Sequence, residues 1–429
     1  MSQHQYVKYL LVGGGLASSS AAKAIRLHDR EGSVQLIGQE PTRPYHRPPL
    51  SKEFLRGNTP REELFTDYVG WFTQNHVNLN TGVRAVRLDT ARKCIALDSG
   101  SEIHFDKLLI ATGGTARQLT LPGAALANVH YLRNLADADR LHNAIEKAKK
   151  EGRPFDRNGA KGYGTVTIIG GGLLGVELAS TLTGLGLAVD LVVAATHPWK
   201  KFAGESTGKF LVRYLEQRGV KVHLLADAKA LEGDGRAQRV ALSNGEVIPC
   251  DFVVAAIGMT PNKDLLRATP IAGERAILID DHCRTNVPEI YAAGDCSALI
   301  DPLFGKYRQL DHWDSAVVTG TLAGRNMAGV DSRYDVVNHF ESEVFDLRLR
   351  VWGDAKQVDH RILRGVPGTD SPEFIEIGVA VDGRVAQVLA INQRDDASLF
   401  RALVQRRFKV DGKEELLRDP NASLRDLLG

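Results

Sequence analysis

Two stretches decide the fold, VGGGLAS (Val12–Ser18) and IIGGGLLGVE (Ile168–Glu177). Each follows an apolar run of strand character, YLLV (Tyr9–Val12) and VTII (Val166–Ile169), and each opens a helix-like run. Strand, glycine turn and helix together are the context in which a G-x-G-x-x-G pattern holds a dinucleotide. The first glycine, Gly13 or Gly170, makes the tight turn, and the second, Gly15 or Gly172, lets backbone amides approach a pyrophosphate. A small third residue, Ser18 or Gly175, lets helix and strand pack, and the phosphates sit at the helix N-terminus. Two such turns imply two dinucleotides; the simplest pairing is a bound flavin and an exchangeable nicotinamide nucleotide.

Two further segments support this reading. LLIATGG (Leu108–Gly114) and IYAAGDCSAL (Ile290–Leu299) are apolar runs that end in glycine turns. The second predicts Asp295 at a strand end, opening a helix, where its carboxylate can reach a ribityl hydroxyl and the helix N-terminus can face a flavin phosphate or pyrimidine edge. A plain helix N-cap is the alternative role for Asp295. Glu40 ends the run VQLIGQE about 22 residues past the first turn, where a carboxylate accepts hydrogen bonds from adenosine ribose hydroxyls, as FAD requires. In RPPLSK the prolines exclude helix before Leu50, so Lys52 is expected on a first helical turn.

Composition sets the class. A chain of 429 residues exceeds one core and predicts about two to four domains. Its 54 basic and 52 acidic side chains nearly cancel, giving no electrostatic footprint for nucleic acid or anionic lipid. No apolar stretch reaches the roughly 18 residues of a membrane helix, and the start, MSQHQYVKYLLVGGG, runs directly into the first strand; the expectation is a cytoplasmic protein. Cys94, Cys250, Cys283 and Cys296 are far apart, with no C-x-x-C pair and no cysteine before position 94. That argues against disulfide exchange and against metal ligation by cysteine, and no metal is expected; Cys296, beside Asp295, reads as a small buried filler.

With these motifs in place, the chain resembles the two-dinucleotide flavoprotein reductases, and within them the branch holding apoptosis-inducing factor and the ferredoxin reductase components of bacterial dioxygenases. The resemblance rests on RPYHRPPLSKEFL (Arg43–Leu55), LLIATGGTAR (Leu108–Arg117) and DHWDSAVVTGTLAGRNMAG (Asp311–Gly329), and it covers nearly the whole chain in order. It implies a glutathione-reductase-like α/β fold of two Rossmann-like domains with a small α+β C-terminal domain. It implies that Arg47 touches the FAD phosphates and that Lys52 reaches flavin N5, paired with Glu177. Such a lysine stabilises the negative charge of a reduced flavin ring, and the carboxylate holds it there; ordinary surface charges are the alternative. It also implies Arg133 at the adenine end of FAD, and Asp295, His312 and Trp313 around the ring. Phe345 matches a stacking aromatic, with Trp352 as the alternative. Ala85, Leu173 and Gly258 complete the cofactor contacts.

The order of motifs divides the chain. An FAD domain covers 1–129 and 258–330, returning after AAIGMTPN (Ala255–Asn262), and the inserted nicotinamide domain covers 130–257. KKEGRPFDRNGAKGYG (Lys149–Gly164) reads as a loop. From 331 to 429, FDLRLRVWG, FIEIGVAV and RVAQVLAI predict antiparallel strands, followed by a helix around Ala397 to Arg407.

One departure concerns the second unit. Its strand VDLVVAA is expected to end near Ala195, where NAD-using relatives carry a carboxylate for the ribose 2′-hydroxyl. Here no acid lies between Asp190 and Glu205, while His197, Lys200 and Lys201 are near, so NADPH is as credible as NADH; solvated loop charges are the alternative role for Lys200 and Lys201. The sequence therefore predicts an FAD-dependent NAD(P)H reductase, a monomer or homodimer. A [2Fe–2S] ferredoxin of an oxygenase system is the leading acceptor, with a quinone or dioxygen next. The alternative is an apoptosis-inducing-factor-like redox protein whose charge-transfer complex controls dimerisation and partner binding.

Overall fold

The first apolar run folds as the parallel strand Gln5–Val12, with Leu10 and Leu11 fully buried, and turns at Gly13 into the helix Leu16–His28. Gly13 has φ +130°, and a Cβ there would lie 2.0 Å from the carbonyl oxygen of Ala111, so only glycine fits. The strand lies between Val34–Gly38 and Glu102–Ile110, with Val77–Thr81 and Ile290–Ala292 as further parallel neighbours. Cys94–Leu97 and Ala85–Asp89 extend this seven-stranded sheet in antiparallel fashion. Helix Trp313–Met327 lies directly on helix Leu16–His28: a Cβ at Gly320 or Gly324 would come within 2.3 or 2.4 Å of the main-chain oxygens of Ala17 and Ala21.

The computed structural model describes residues 5–157, 160–368, 372–393 and 397–428. They form two compact units, one of residues 1–47, 60–115 and 260–338, the other of 48–59, 116–259 and 339–429.

The second unit repeats the device. Strand Thr165–Ile169 is buried throughout and turns at Gly170, φ +123°, into helix Leu173–Gly184; a Cβ on Gly170 would lie 2.4 Å from the oxygen of Ala256. The parallel sheet runs Lys221–Leu224, Ala188–Val193, Thr165–Ile169, Phe252–Ala255, Val129–His130. The same unit holds a five-stranded antiparallel sheet ordered His339–Val344, Leu347–Gly353, Val385–Ile391, Phe374–Val379, His360–Arg364. Helix Ala397–Gln405 covers it with Phe400, Leu403 and Val404. The alternating runs thus form the antiparallel strands they predict.

Four local expectations are corrected. Pro154–Arg157 and Ala160–Tyr163 form an antiparallel ladder where a loop was expected; Asn158 and Gly159 lie outside the described residues. Phe155 lies against Gly162, and Arg157 reaches the buried Asp190 at 2.6 Å, anchors that a glycine- and charge-rich composition hides. Asp295 opens only a single 3-10 turn, Gly294–Cys296, which leads into the strand Ser297–Asp301; the helix at this end of the unit begins at Trp313. RPPLSK begins its 3-10 turn at Pro48 itself and ends it at Ser51, with Lys52 just beyond, because the fixed φ of proline suits a first turn whose N–H groups go unused. Both strand ends fall two residues short of the sequence reading, Val34–Gly38 before Glu40 and Ala188–Val193 before Ala195, so the two positions still correspond.

Candidate dinucleotide sites

In the first unit, Gly15 precedes the helix Leu16–His28 without any side-chain cap, and a Cβ at Gly15 would meet nothing within 4 Å. The first-turn amides of the helix therefore face room that a phosphate group fits. Ser18 lies buried in that turn, its Oγ without a hydrogen-bond partner. Beyond strand Val34–Gly38, Glu40 takes hydrogen bonds from Tyr45 Oη and Arg47 Nη2, both 2.6 Å, and Arg47 Nη1 donates to Tyr45 Oη at 2.9 Å. Burial opposes the Arg47 charge, but Tyr45, Glu40 and Asp295 outweigh it and hold the guanidinium ionised.

His312 forms the N-cap position of helix Trp313–Met327 in extended conformation, and burial pushes its pKa below the ordinary histidine value despite the carboxylates of Asp311 and Asp295. Trp313 remains 45% exposed and donates its indole N–H to His46 Nδ1 at 3.0 Å. Burial, assisted by Lys23, lowers the pKa of His46, which keeps Nδ1 an acceptor. Ala85 opens the strand Ala85–Asp89 and is half-buried against the core of this unit.

In the second unit, Gly172 leads the helix Leu173–Gly184 as Gly15 leads its counterpart, uncapped and with nothing within 4 Å of a Cβ. Leu173 is the first residue of this helix, and Gly175 stands so close to the turn that a Cβ would lie 1.8 Å from the oxygen of Gly170. Glu177, one turn on, is 9% exposed; its carboxylate accepts from Ser51 Oγ and Ser342 Oγ at 2.7 Å each, and Lys52 Nζ lies 3.6 Å away. Thr181 Oγ1 fixes the Ser51 carbonyl at 2.8 Å. A buried carboxylate held by two hydroxyls and an ammonium is a built site, not a pair of surface charges.

The remaining candidates of this unit are dispersed. Gly258, φ +103°, accepts the Arg117 amide through its carbonyl at 2.9 Å. Arg133 precedes the helix Leu135–Glu151, and its amide donates to Asp137. Phe345, at φ +54° between two strands, donates its N–H to Ser180 Oγ at 2.6 Å and sets its ring 6.3 Å from that of Tyr214. Trp352 is buried in the C-terminal sheet, 5.5 Å from the Phe400 ring. The loop after Val193 carries Ala195, the buried His197, and Lys200 and Lys201.

Sequence reasoning missed Tyr45, His46, Ser51 and Ser342. The first three lie inside RPYHRPPLSK but carry no pattern of their own, and Ser342 lies 165 residues from the carboxylate it holds.

All four cysteines are unpaired and buried. Burial raises each thiol pKa, that of Cys250 to about 12, so none supplies a thiolate at neutral pH. Cys296 Sγ lies near the oxygens of Ala293 and Ile110, as a buried filler does.

Residues 7–320 match the family described as pyridine nucleotide-disulphide oxidoreductase, and residues 339–428 match the reductase C-terminal family. The chain belongs to the pyridine nucleotide-disulphide oxidoreductase family. It is 33% identical over 419 residues, 97% of each chain, to the biphenyl dioxygenase system ferredoxin–NAD(+) reductase component of Paraburkholderia xenovorans (strain LB400). It is 31% identical, with 97% of each chain covered, to the 5,5′-dehydrodivanillate O-demethylase ferredoxin reductase subunit of a Sphingobium species. The solved ferredoxin reductase for the CYP199A2 system from Rhodopseudomonas palustris superposes with TM-score 0.89 at 26% identity, covering 98% of this chain and 100% of that one. The protein is accordingly an oxidoreductase that uses FAD and a nicotinamide nucleotide, and its uncapped glycine turns and open second-glycine positions fit both. The disulphide in the family name finds no dithiol here. Among the described residues no helix is long and apolar enough to cross a membrane.

Proposed function

We propose that the protein is the reductase of an oxygenase system, taking hydride from NADH or NADPH and delivering electrons to a [2Fe–2S] ferredoxin. The observation that carries the hydride step is the Lys52–Glu177 pair. Glu177 is fixed by Ser51 and Ser342, so the ammonium of Lys52 is held by a carboxylate that cannot swing away. We assign the pair to hydride transfer, with Lys52 presenting positive charge where the reduced ring is negative. FAD, when bound, accepts an electron pair and releases electrons singly, which suits a one-electron acceptor. Gly13, Gly15, Ser18 and Arg47 would hold its pyrophosphate and Glu40 its ribose hydroxyls, with Asp295, His312 and Trp313 the candidates for its ring; Ala85, Arg133, Gly258 and Phe345 remain cofactor-binding candidates on the resemblance alone. Gly170, Gly172, Leu173 and Gly175 would hold the nicotinamide nucleotide.

The domain division 1–129 with 258–330, 130–257 and 331–429 belongs to this proposal, as does a cytoplasmic site of action, where reduced nicotinamide nucleotides are supplied. The relatives support the ferredoxin reading over one in which turnover is incidental, because they are named as ferredoxin reductases. Anaerobic mixing of the FAD-loaded protein, NAD(P)H and a [2Fe–2S] ferredoxin tests it. Ferredoxin reduction at about 1 to 100 per second is expected. Flavin that is reduced by the nucleotide but passes nothing to any such ferredoxin would remove the acceptor assignment.

A further inference from the structure

We infer that the second turn reads the 2′-phosphate of NADPH through Lys200 and Lys201 instead of selecting NADH. The inference deepens the reading above and rests on it.

Selecting a ribose 2′-hydroxyl takes a carboxylate at the end of the strand that follows the turn. That strand, Ala188–Val193, runs parallel to Thr165–Ile169 and ends beside the turn: Val193 Cγ1 would lie 2.7 Å from a Cβ on Gly171. The loop that follows is fastened there too. Trp199, buried and at φ +62°, donates its N–H to the oxygen of Gly171 at 2.9 Å, and its own carbonyl accepts the amides of Phe202 and Ala203. Whatever this loop displays is therefore held next to the phosphate-binding turn.

It displays no carboxylate. Val193, Ala194 and Ala195 are apolar, and the flanking acids are engaged elsewhere. Asp190, 1% exposed, is bound by His223 and Arg157 at 2.8 and 2.6 Å, and the exposed Glu205 pairs with Lys209 at 2.6 Å. His197, the third basic residue of the sequence reading, is turned inward: it is buried with Nδ1 on the Pro198 oxygen at 2.8 Å, and its ring crowds Gly208. The two lysines remain. Lys200 Nζ lies 3.0 Å from the neutral Thr196 Oγ1, Lys201 is exposed, and neither makes an ion pair among the described residues. Glu205 lies within electrostatic reach of Lys200, but its ion pair is with Lys209. Two ammonium groups that no carboxylate pairs with among the described residues attract a phosphate dianion and give a hydroxyl nothing to prefer.

Calorimetry on the FAD-loaded protein with 5′-AMP and with adenosine 2′,5′-bisphosphate isolates the phosphate from the chemistry. The bisphosphate is expected to bind about tenfold or more tightly at low salt, with an advantage that shrinks as salt rises. The Lys200→Ala/Lys201→Ala variant should bind 5′-AMP as the wild type does and lose the advantage. Equal or tighter binding of 5′-AMP by the wild type, or an advantage that survives in the double variant, overturns the inference and leaves the reductase reading in place. Failure of both ligands to bind overturns the nicotinamide reading of this unit and the inference with it.

Discussion

The two glycine turns are nearly one design used twice, and they part company only a strand later. Gly13 and Gly170 share a positive φ and a carbonyl too close for any side chain, and Gly15 and Gly172 share open space before an uncapped helix. Past the next strand, the first unit presents Glu40, bound to Tyr45 and Arg47, whereas the second presents Val193, Ala194 and Ala195. The turn states that a dinucleotide binds; the strand end states which one. The third small residue differs as well, since Ser18 is accommodated where Gly175 has no room for a Cβ.

That last difference predicts the largest effect. Gly175→Ser pushes a Cβ onto the Gly170 oxygen and should cost about 3 kcal/mol or more, measured by denaturant unfolding of the second unit. A tolerated Gly175→Ser would mean that the two turns are interchangeable after all.

The second unit also buries a histidine–carboxylate pair on neighbouring strands of its parallel sheet, with a half-exposed glutamate on the histidine's other side. His223 lies between Asp190 at 2.8 Å and Glu246 at 3.0 Å. Burial opposes its charge, but those two carboxylates outweigh burial and raise its pKa above the ordinary histidine value. A raised folded pKa adds stability below the unfolded value of about 6.5 that is lost as pH climbs through the folded one. His223→Ala should cost about 3 kcal/mol near pH 6, and the gap from wild type should narrow as pH rises above 6.5. A gap that widens with pH would show that the histidine is buried neutral.

Lys52→Ala or Glu177→Ala should slow flavin reduction about tenfold, roughly 1.4 kcal/mol, in anaerobic stopped-flow. Unchanged rates in both variants would leave the pair structural. The smallest effect is expected of Ser18→Ala, within about 0.5 kcal/mol in thermal unfolding, because its Oγ has no partner to lose.

What the sequence disclosed follows what is local. The turns and the antiparallel strands within residues 339–391 were legible because glycine spacing and short apolar, β-branched runs act within a few residues. Ser342 and Ser51 were not, because they become partners of Glu177 only when distant segments fold together. The ladder at 154–163 was hidden for a similar reason: Arg157 finds Asp190 across the sheet, and composition alone says loop. His197 shows the reverse error, a basic residue near a site that the fold turns inward against Gly208.

The central claim is that one turn keeps FAD while the other exchanges a nicotinamide nucleotide. Anaerobic titration of the purified protein with NADH and NADPH, followed by visible flavin absorption, tests it most directly. The account predicts a yellow protein with about one FAD per chain, bleached by about one equivalent of reduced nucleotide. A folded protein that takes up no FAD, or a bound flavin that neither nucleotide reduces, would contradict it.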